Sequence, residues 1–101
     1  MEKSVAVMVM PVEGRAYYFD VRVDCFLDDV KGLVGARHVV SIAGVDRFKG
    51  YDLVIFYDKS GRRKRKVVNK NMPRIVGTGV MCLIDPVTRD HVSIDRFPVK
   101  K

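Results

Sequence analysis

The chain contains no tryptophan and no glutamine, and only two asparagines, two threonines and two cysteines among its 101 residues. Two cysteines, Cys25 and Cys82, are too few for a disulfide framework. They are expected to be ordinary buried thiols, a single bridge being reserved for a hyperthermophile source, where intracellular disulfides persist. Few amides beside 31% charged residues is a thermophile-like composition. No apolar run approaches the ~18–20 residues needed to span a bilayer. The apolar stretch 5–12 is short, runs into Glu13 and lacks the small-residue cleavage site of a signal peptide. A cytoplasmic protein is expected. The last absence is the most informative: between residues 59 and 74 there is no acid.

That stretch holds eight cations: Lys59, Arg62, Arg63, Lys64, Arg65, Lys66, Lys70 and Arg74. The whole chain carries 19 Lys+Arg against 12 Asp+Glu, a net of +7. Without the eight, 11 cations face 12 acids, so the excess is local to one segment of a near-neutral domain. Concentrated charge attracts polyanions more strongly than the same charge spread out.

The rest reads as strand. Nineteen valines, with Ile, Phe and Tyr, favour pleated, half-buried surfaces. Residues 3–12 alternate loosely, Val12-Glu13-Gly14-Arg15 turns, and residues 15–23 form a second strand. There Arg15, Tyr17, Phe19, Val21 and Val23 share a face that is apolar after its first member, a half-buried pattern. Asp24 stands where a helix N-cap belongs. Phe26, Leu27, Val30, Leu33 and Val34 follow at helical spacing, with Asp28 and Asp29 early, Lys31 late, and Gly35 as the left-handed terminator. One helix of about ten residues is expected, and no second.

Strands 37–43 and 51–57 come next, separated by a turn over 44–50. Leu53-Val54-Ile55-Phe56 is apolar on both faces, which marks a central strand. Asp58-Lys59-Ser60-Gly61 signals a tight turn, from which 62–68 returns antiparallel to 51–57. Asn69-Lys70-Asn71-Met72-Pro73 is a loop. Residues 74–84 form a strand bent at Gly77 and Gly79, 85–90 turn, and 91–95 close the sheet. The fold class is α+β: a mostly antiparallel sheet of five to seven strands with one short helix packed on a face. It forms a single domain over residues 1–97, followed by a short basic tail, 98–101.

A strand charged on both faces, as 62–66 is, cannot be central. One reading is edge protection, since Lys and Arg on an edge strand deter edge-to-edge pairing. The other is that the hairpin lays cations along a phosphate backbone. Five consecutive cations exceed what edge protection requires. The candidate nucleic-acid-binding residues are the eight cations with Asn69 and Asn71, whose amides suit phosphates or bases. A two-stranded ribbon fits the major groove of DNA, and an arm of this type equally binds RNA.

Other constellations are weak. Cys25, His38, Cys82 and His91 lack the close spacing of zinc motifs, so no metal is expected. Asp20, Asp24 and Asp28 invite comparison with metal-dependent nucleases, but each has a simpler place as cap, dipole partner or strand surface. The glycines of Ile75-Val76-Gly77-Thr78-Gly79-Val80 have no following helix and make no phosphate-cradling loop. No catalytic residue and no cofactor is assigned. Tyr17, Tyr18, Tyr51, Phe56 and Tyr57 are mostly core, with a minority open to stacking.

From Leu27 to Asp95 the order of Leu33-Val34-Gly35, the strand-turn over 51–61, Asn69 and Ile75-Val76-Gly77-Thr78-Gly79-Val80 resembles a family of small domains of unknown function encoded by phages and other mobile elements. The resemblance covers about two-thirds of the chain, which departs from the pattern in its basic run and shorter helix. It implies a mixed α+β domain, a viral or mobile-element origin and residence in the host cytoplasm. The expected function is a small, non-enzymatic nucleic-acid-binding accessory protein. The alternative is a protein–protein module, either a viral inhibitor of a host factor or a structural protein that oligomerises through sheet edges.

Overall fold

The computed structural model describes residues 4–48, 50–60, 68–71 and 75–94, with 42–48 described by their backbone. Along these residues run β1 (Ser4–Met10), β2 (Tyr17–Arg22), α1 (Phe26–Val34), β3 (Val39–Phe48), β4 (Tyr51–Asp58), β5 (Gly79–Ile84) and β6 (His91–Val92). Every strand pairing is antiparallel. The sheet order is β2-β1-β5-β4-β3, with β6 on β5. The expected α+β class with a mostly antiparallel sheet is present, and β4 is an interior strand.

Alternation explains the layering. Val5, Val7 and Val9 leave one face of β1, and Ala6 and Met10 the other, and all five are buried. On the first face Val5, Val7, Val21, Val54, Val80 and Cys82 form one cluster with Phe26, Val30 and Val34 of α1. On the second, Met10 and Ile55 pack with Ile75. Burial of valines such as Val7, Val30 and Val80 contributes roughly 1.5–3 kcal/mol each. Burial also pushes the Cys82 thiol up to about 12, so it serves as packing rather than as a nucleophile. Cys25 is half-buried, and both cysteines are free thiols.

β5 holds the sheet together. β4 takes one of its edges from Val80 to Ile84. On the other, β1 pairs with Gly79, Val80 and Met81, and β6 with Leu83 and Ile84. The Ala6 amide donates to Ser93 Oγ at 3.0 Å, joining β1 to the chain just past β6.

Several expectations need correction. Helix α1 starts at Phe26 with Cys25 in the cap position and no side-chain cap bond, so Asp24 does not cap it. Asp29 ties this end down instead. It accepts from the Arg22 backbone N–H at 2.9 Å and from its guanidinium at 3.0 and 3.3 Å, which holds its carboxyl below the usual range. Gly35 ends the helix at φ 76°, as expected, and Lys31 O accepts from both Gly35 and Ala36 amides. The turn foreseen over 44–50 is mostly strand. β3 continues to Phe48, and the register shift between Ala43 and Arg47 absorbs the extra residues as a bulge.

Of the strand expected over 62–68, residues 62–67 lie outside the described residues, and β4, its expected partner, has both edges taken by β3 and β5 over Asp52–Phe56. Val68 bridges Val76 instead. The strand foreseen over 74–84 shortens to β5, since Gly77 takes φ 78° and breaks the extended run. At Gly79 a Cβ would sit 2.5 Å from Ile75 Cδ1, so a side chain there would displace the buried Ile75 tip. The final strand is His91–Val92 rather than 91–95. Residues 95–101, including the expected tail, lie outside the described residues.

The His91 ring stacks on Phe26 at 3.8 Å, between β6 and α1. Its Nδ1 is buried and makes no hydrogen bond among the described residues. Burial lowers its pKa, and the charge of Asp90 only partly opposes this. The unfolded chain therefore binds a proton near pH 6.5 that the folded one resists. Stability should be full above that pH and fall as pH drops through it. Urea midpoints at pH 7.5 and 5.5 should differ in the wild type and converge in His91→Phe, which keeps the stack. Asp29, lowered from 3.8, titrates below this window. An equal pH loss in the variant would remove His91 as the cause.

Candidate functional site

The antiparallel register fixes which loops meet. Met10 pairs with Gly79, Val9 with Tyr17, Phe56 with Val80 and Val39 with Asp58. The end of β1, the start of β2, the start of β3, the end of β4 and the start of β5 therefore share one end of the sheet. Exposed Arg15, Arg37, Lys59 and Lys70 lie at that end, on three loops of the chain. Two described acids accompany them. Asp58 is buried, and its Oδ1 accepts from the Ser60 amide at 2.8 Å. Glu13 meets Lys70 Nζ at 3.0 Å. Such an exposed pair is worth about 0.2–1 kcal/mol, too little to keep Lys70 from a phosphate.

The opposite end is acidic. Asp24, Asp28, Asp29, Asp52, Asp85 and Asp90 lie there, facing Arg22 and Arg89 among the described side chains. A cleft of about 300 Å³ at that end is lined by Ser4, Asp85, Thr88, Asp90, His91 and Ser93. Some of its polar groups are used locally. Asp85 Oδ1 accepts from the amides of Val87 and Thr88, and Ser93 Oγ holds Ala6. Among the described residues no group of three or more His, Cys, Asp or Glu side chains is placed to hold a metal ion.

Of the sequence candidates, Lys59 and Lys70 are exposed at the basic end, flanking the run. Arg62, Arg63, Lys64, Arg65, Lys66 and Arg74 lie outside the described residues. Asn71 is exposed, but its Nδ2 donates to Pro11 O at 2.9 Å and Gly14 O at 3.0 Å, which secures the β1–β2 turn. Asn69 is a correction. It is 0% exposed, and its Nδ2 donates to Met10 O and Gly77 O, both at 2.8 Å. Its Oδ1 accepts from the Asn71 amide at 2.8 Å. Asn69 is a buried fastening, not a ligand-facing side chain.

Sequence reading also missed residues. Arg15 and Arg37 stand alone in the chain and join the basic end only through the sheet register. Tyr17 and Phe19 were expected on a half-buried face, yet they are 49% and 47% exposed, Tyr18 on the other face is 47% exposed, and only Val21 of that strand is buried. β2 lies at the edge of the sheet, and Val21 is its one contribution to the cluster shared with α1.

No protein-family model matches this chain, and neither a curated protein nor a solved structure matches it. Function is therefore argued from charge and geometry. No helix among the described residues is long and apolar enough to cross a membrane.

The structural role of Asn69 is open to direct measurement. Asn69→Ala leaves two backbone carbonyls without their donor, at about 1–3 kcal/mol for each buried acceptor. Asn69→Asp should be destabilising too, because it keeps the acceptor and loses both donors. Chemical denaturation should show losses on the order of 2–4 kcal/mol. A variant as stable as the wild type would return Asn69 to the binding candidates.

Proposed function

We propose that the protein is a small, non-enzymatic nucleic-acid-binding accessory factor that grips the phosphate backbone with the basic end of its sheet. The observation supporting this reading is the assembly of Arg15, Arg37, Lys59 and Lys70 at the end from which the run of five cations departs. Arg15 and Arg37, from two loops distant in sequence, add charge of the same sign where the 59–74 segment has already concentrated it, with Glu13 and buried Asp58 as the described counter-charges. Phosphate backbones are recognised by such fields without sequence information. The proposed viral or mobile-element origin, with work in a host cytoplasm, rests on the resemblance over residues 27–95.

The competing reading, a protein–protein module working through a sheet edge, draws on the six-residue edge strand β2. The two are separable by size exclusion at low and high salt, with and without nucleic acid. A salt-insensitive oligomer that ignores DNA and RNA favours the module.

If about five cations contact duplex phosphates, log affinity should fall against log salt with a slope near −4.5. Mobility-shift or filter-binding series with duplex DNA, single-stranded DNA and RNA read this directly. Changing Arg63, Lys64 and Arg65 together to Ala should weaken binding and flatten the slope. Arg15→Ala and Arg37→Ala should each flatten it by about 0.9 if their side chains reach a phosphate. A slope that none of these changes alters would move the binding surface elsewhere.

A further inference from the structure

Three consecutive aromatic residues on β2 are about half exposed. Large rings ordinarily supply core packing, so three in a row at a sheet edge forgo burial that the fold would otherwise use. Their directions differ. Tyr17 and Phe19 rise from the face that carries their cross-strand partners Val9 and Val7, and Tyr18 points the opposite way. Along the strand the two same-face residues stand roughly 6.6 Å apart.

Arg15 and Lys70 stand beside the start of this ribbon, together with Glu13, which meets Lys70 Nζ at 3.0 Å, while Asp20 lies further along the strand. The turn that feeds β2 carries exposed Arg15. The foot of the basic segment is laced onto the same turn: the Lys70 amide donates to Val12 O at 2.9 Å, and Asn71 Nδ2 to Pro11 O and Gly14 O. The turn that leads into the rings is therefore also the turn to which Lys70 and Asn71 are fastened.

We infer that this surface takes an unpaired nucleic-acid strand, with bases stacked on Tyr17 and Phe19 and phosphates running to the cations at the adjoining end. The inference rests on the polyanion reading above and narrows it from nucleic acid in general to single strands. Stacking suits any base, since each has a π-face, whereas a duplex keeps its bases inside the helix and offers these rings little. A partner protein strand would use the backbone edge of β2 and has no need of neighbouring cations. A ligand that is both anionic and ring-bearing uses both features.

The test is a titration of the wild-type chain with a labelled oligo-dT, a duplex of similar length, and an abasic deoxyribose-phosphate oligomer, each across a salt series. The oligo-dT should bind more tightly than the duplex or the abasic oligomer. Tyr17→Ala with Phe19→Ala should weaken oligo-dT binding by about 5- to 150-fold per ring lost, with the salt slope unchanged. Binding of the abasic oligomer should not change. Tyr18→Ala, on the other face, should have a small effect, and Tyr17→Phe with Phe19→Tyr should retain affinity.

Equal affinity for single strand and duplex, together with wild-type binding by the double Ala variant, overturns the inference while leaving the polyanion reading standing. Failure to bind any probe at low salt overturns both. A change in sedimentation between wild type and variant, with oligo-dT affinity unchanged, assigns the ribbon to a second copy of the chain and also overturns it. Should the double variant not fold, the ring protons of Tyr17 and Phe19 in the wild type provide the readout. Upfield shifts on adding oligo-dT support stacking, and their absence refutes it.

Discussion

The side chain of Asn69 binds three parts of the chain at once. Its amide spans the end of β1 and the bend before β5, and its carbonyl oxygen holds the next loop residue but one. Because the residue is fully buried, each of these bonds replaces one that water would otherwise make, and losing any leaves a polar group stranded. The segment 68–71 is thereby fixed against the β1–β2 turn. Lys70 and Asn71 then sit beside the start of β2 rather than on a loop of arbitrary course. This buried amide, with the Lys70 backbone bond to Val12 O and the Asn71 side-chain bonds to Pro11 O and Gly14 O, holds residues 68–71 beside the turn that leads into β2.

Much of the architecture could be read from residue pattern because local chemistry and tertiary structure agree. The helix from Phe26 to Val34 has apolar residues at helical spacing and a glycine where left-handed backbone is required. β4 has apolar residues on both faces and lies between two strands. Expectation failed where a tertiary partner decided the outcome. Asp24 has the chemistry of a cap, but Asp29 captures Arg22 and sets the junction. The basic stretch after β4 looked like a hairpin arm, but β5, arriving from twenty residues further on, takes the edge that the hairpin needed. Tyr17 and Phe19 alternate like core residues, and only the position of β2 in the sheet reveals that they are not.

The candidate site was legible only in part, for a related reason. A run of like charge is visible in one dimension, so the excess over residues 59–74 needed no structure. Arg15 and Arg37 are unremarkable in the chain, and strand register alone brings them to the same end as Lys59 and Lys70. The same register collects Asp24, Asp28, Asp85 and Asp90 at the far end, so the described acids and the described loop cations concentrate at opposite ends of the sheet. Charge separated in this way is a means of orienting a charged partner before contact.

Edge protection, the main rival account of the basic run, makes a specific demand of the fold: the charges should lie on an exposed edge strand and the aromatics beneath it. β2 shows the reverse. This edge carries Tyr17, Tyr18 and Phe19 in the open, its charged members Asp20 and Arg22 come later in the strand, and Arg22 is engaged with Asp29. An exposed aromatic edge is an aggregation hazard that a protein of this size has every reason to blunt. Of the described stems of the basic run, 68–71 is fastened to the β1–β2 turn, at the end of the sheet where the first of those rings stands, and Lys59 follows β4, three strands away in the sheet order. On the proposed reading, the first stem places Lys70 near a ligand lying across the rings, which is a role for the exposed edge that shielding alone does not supply.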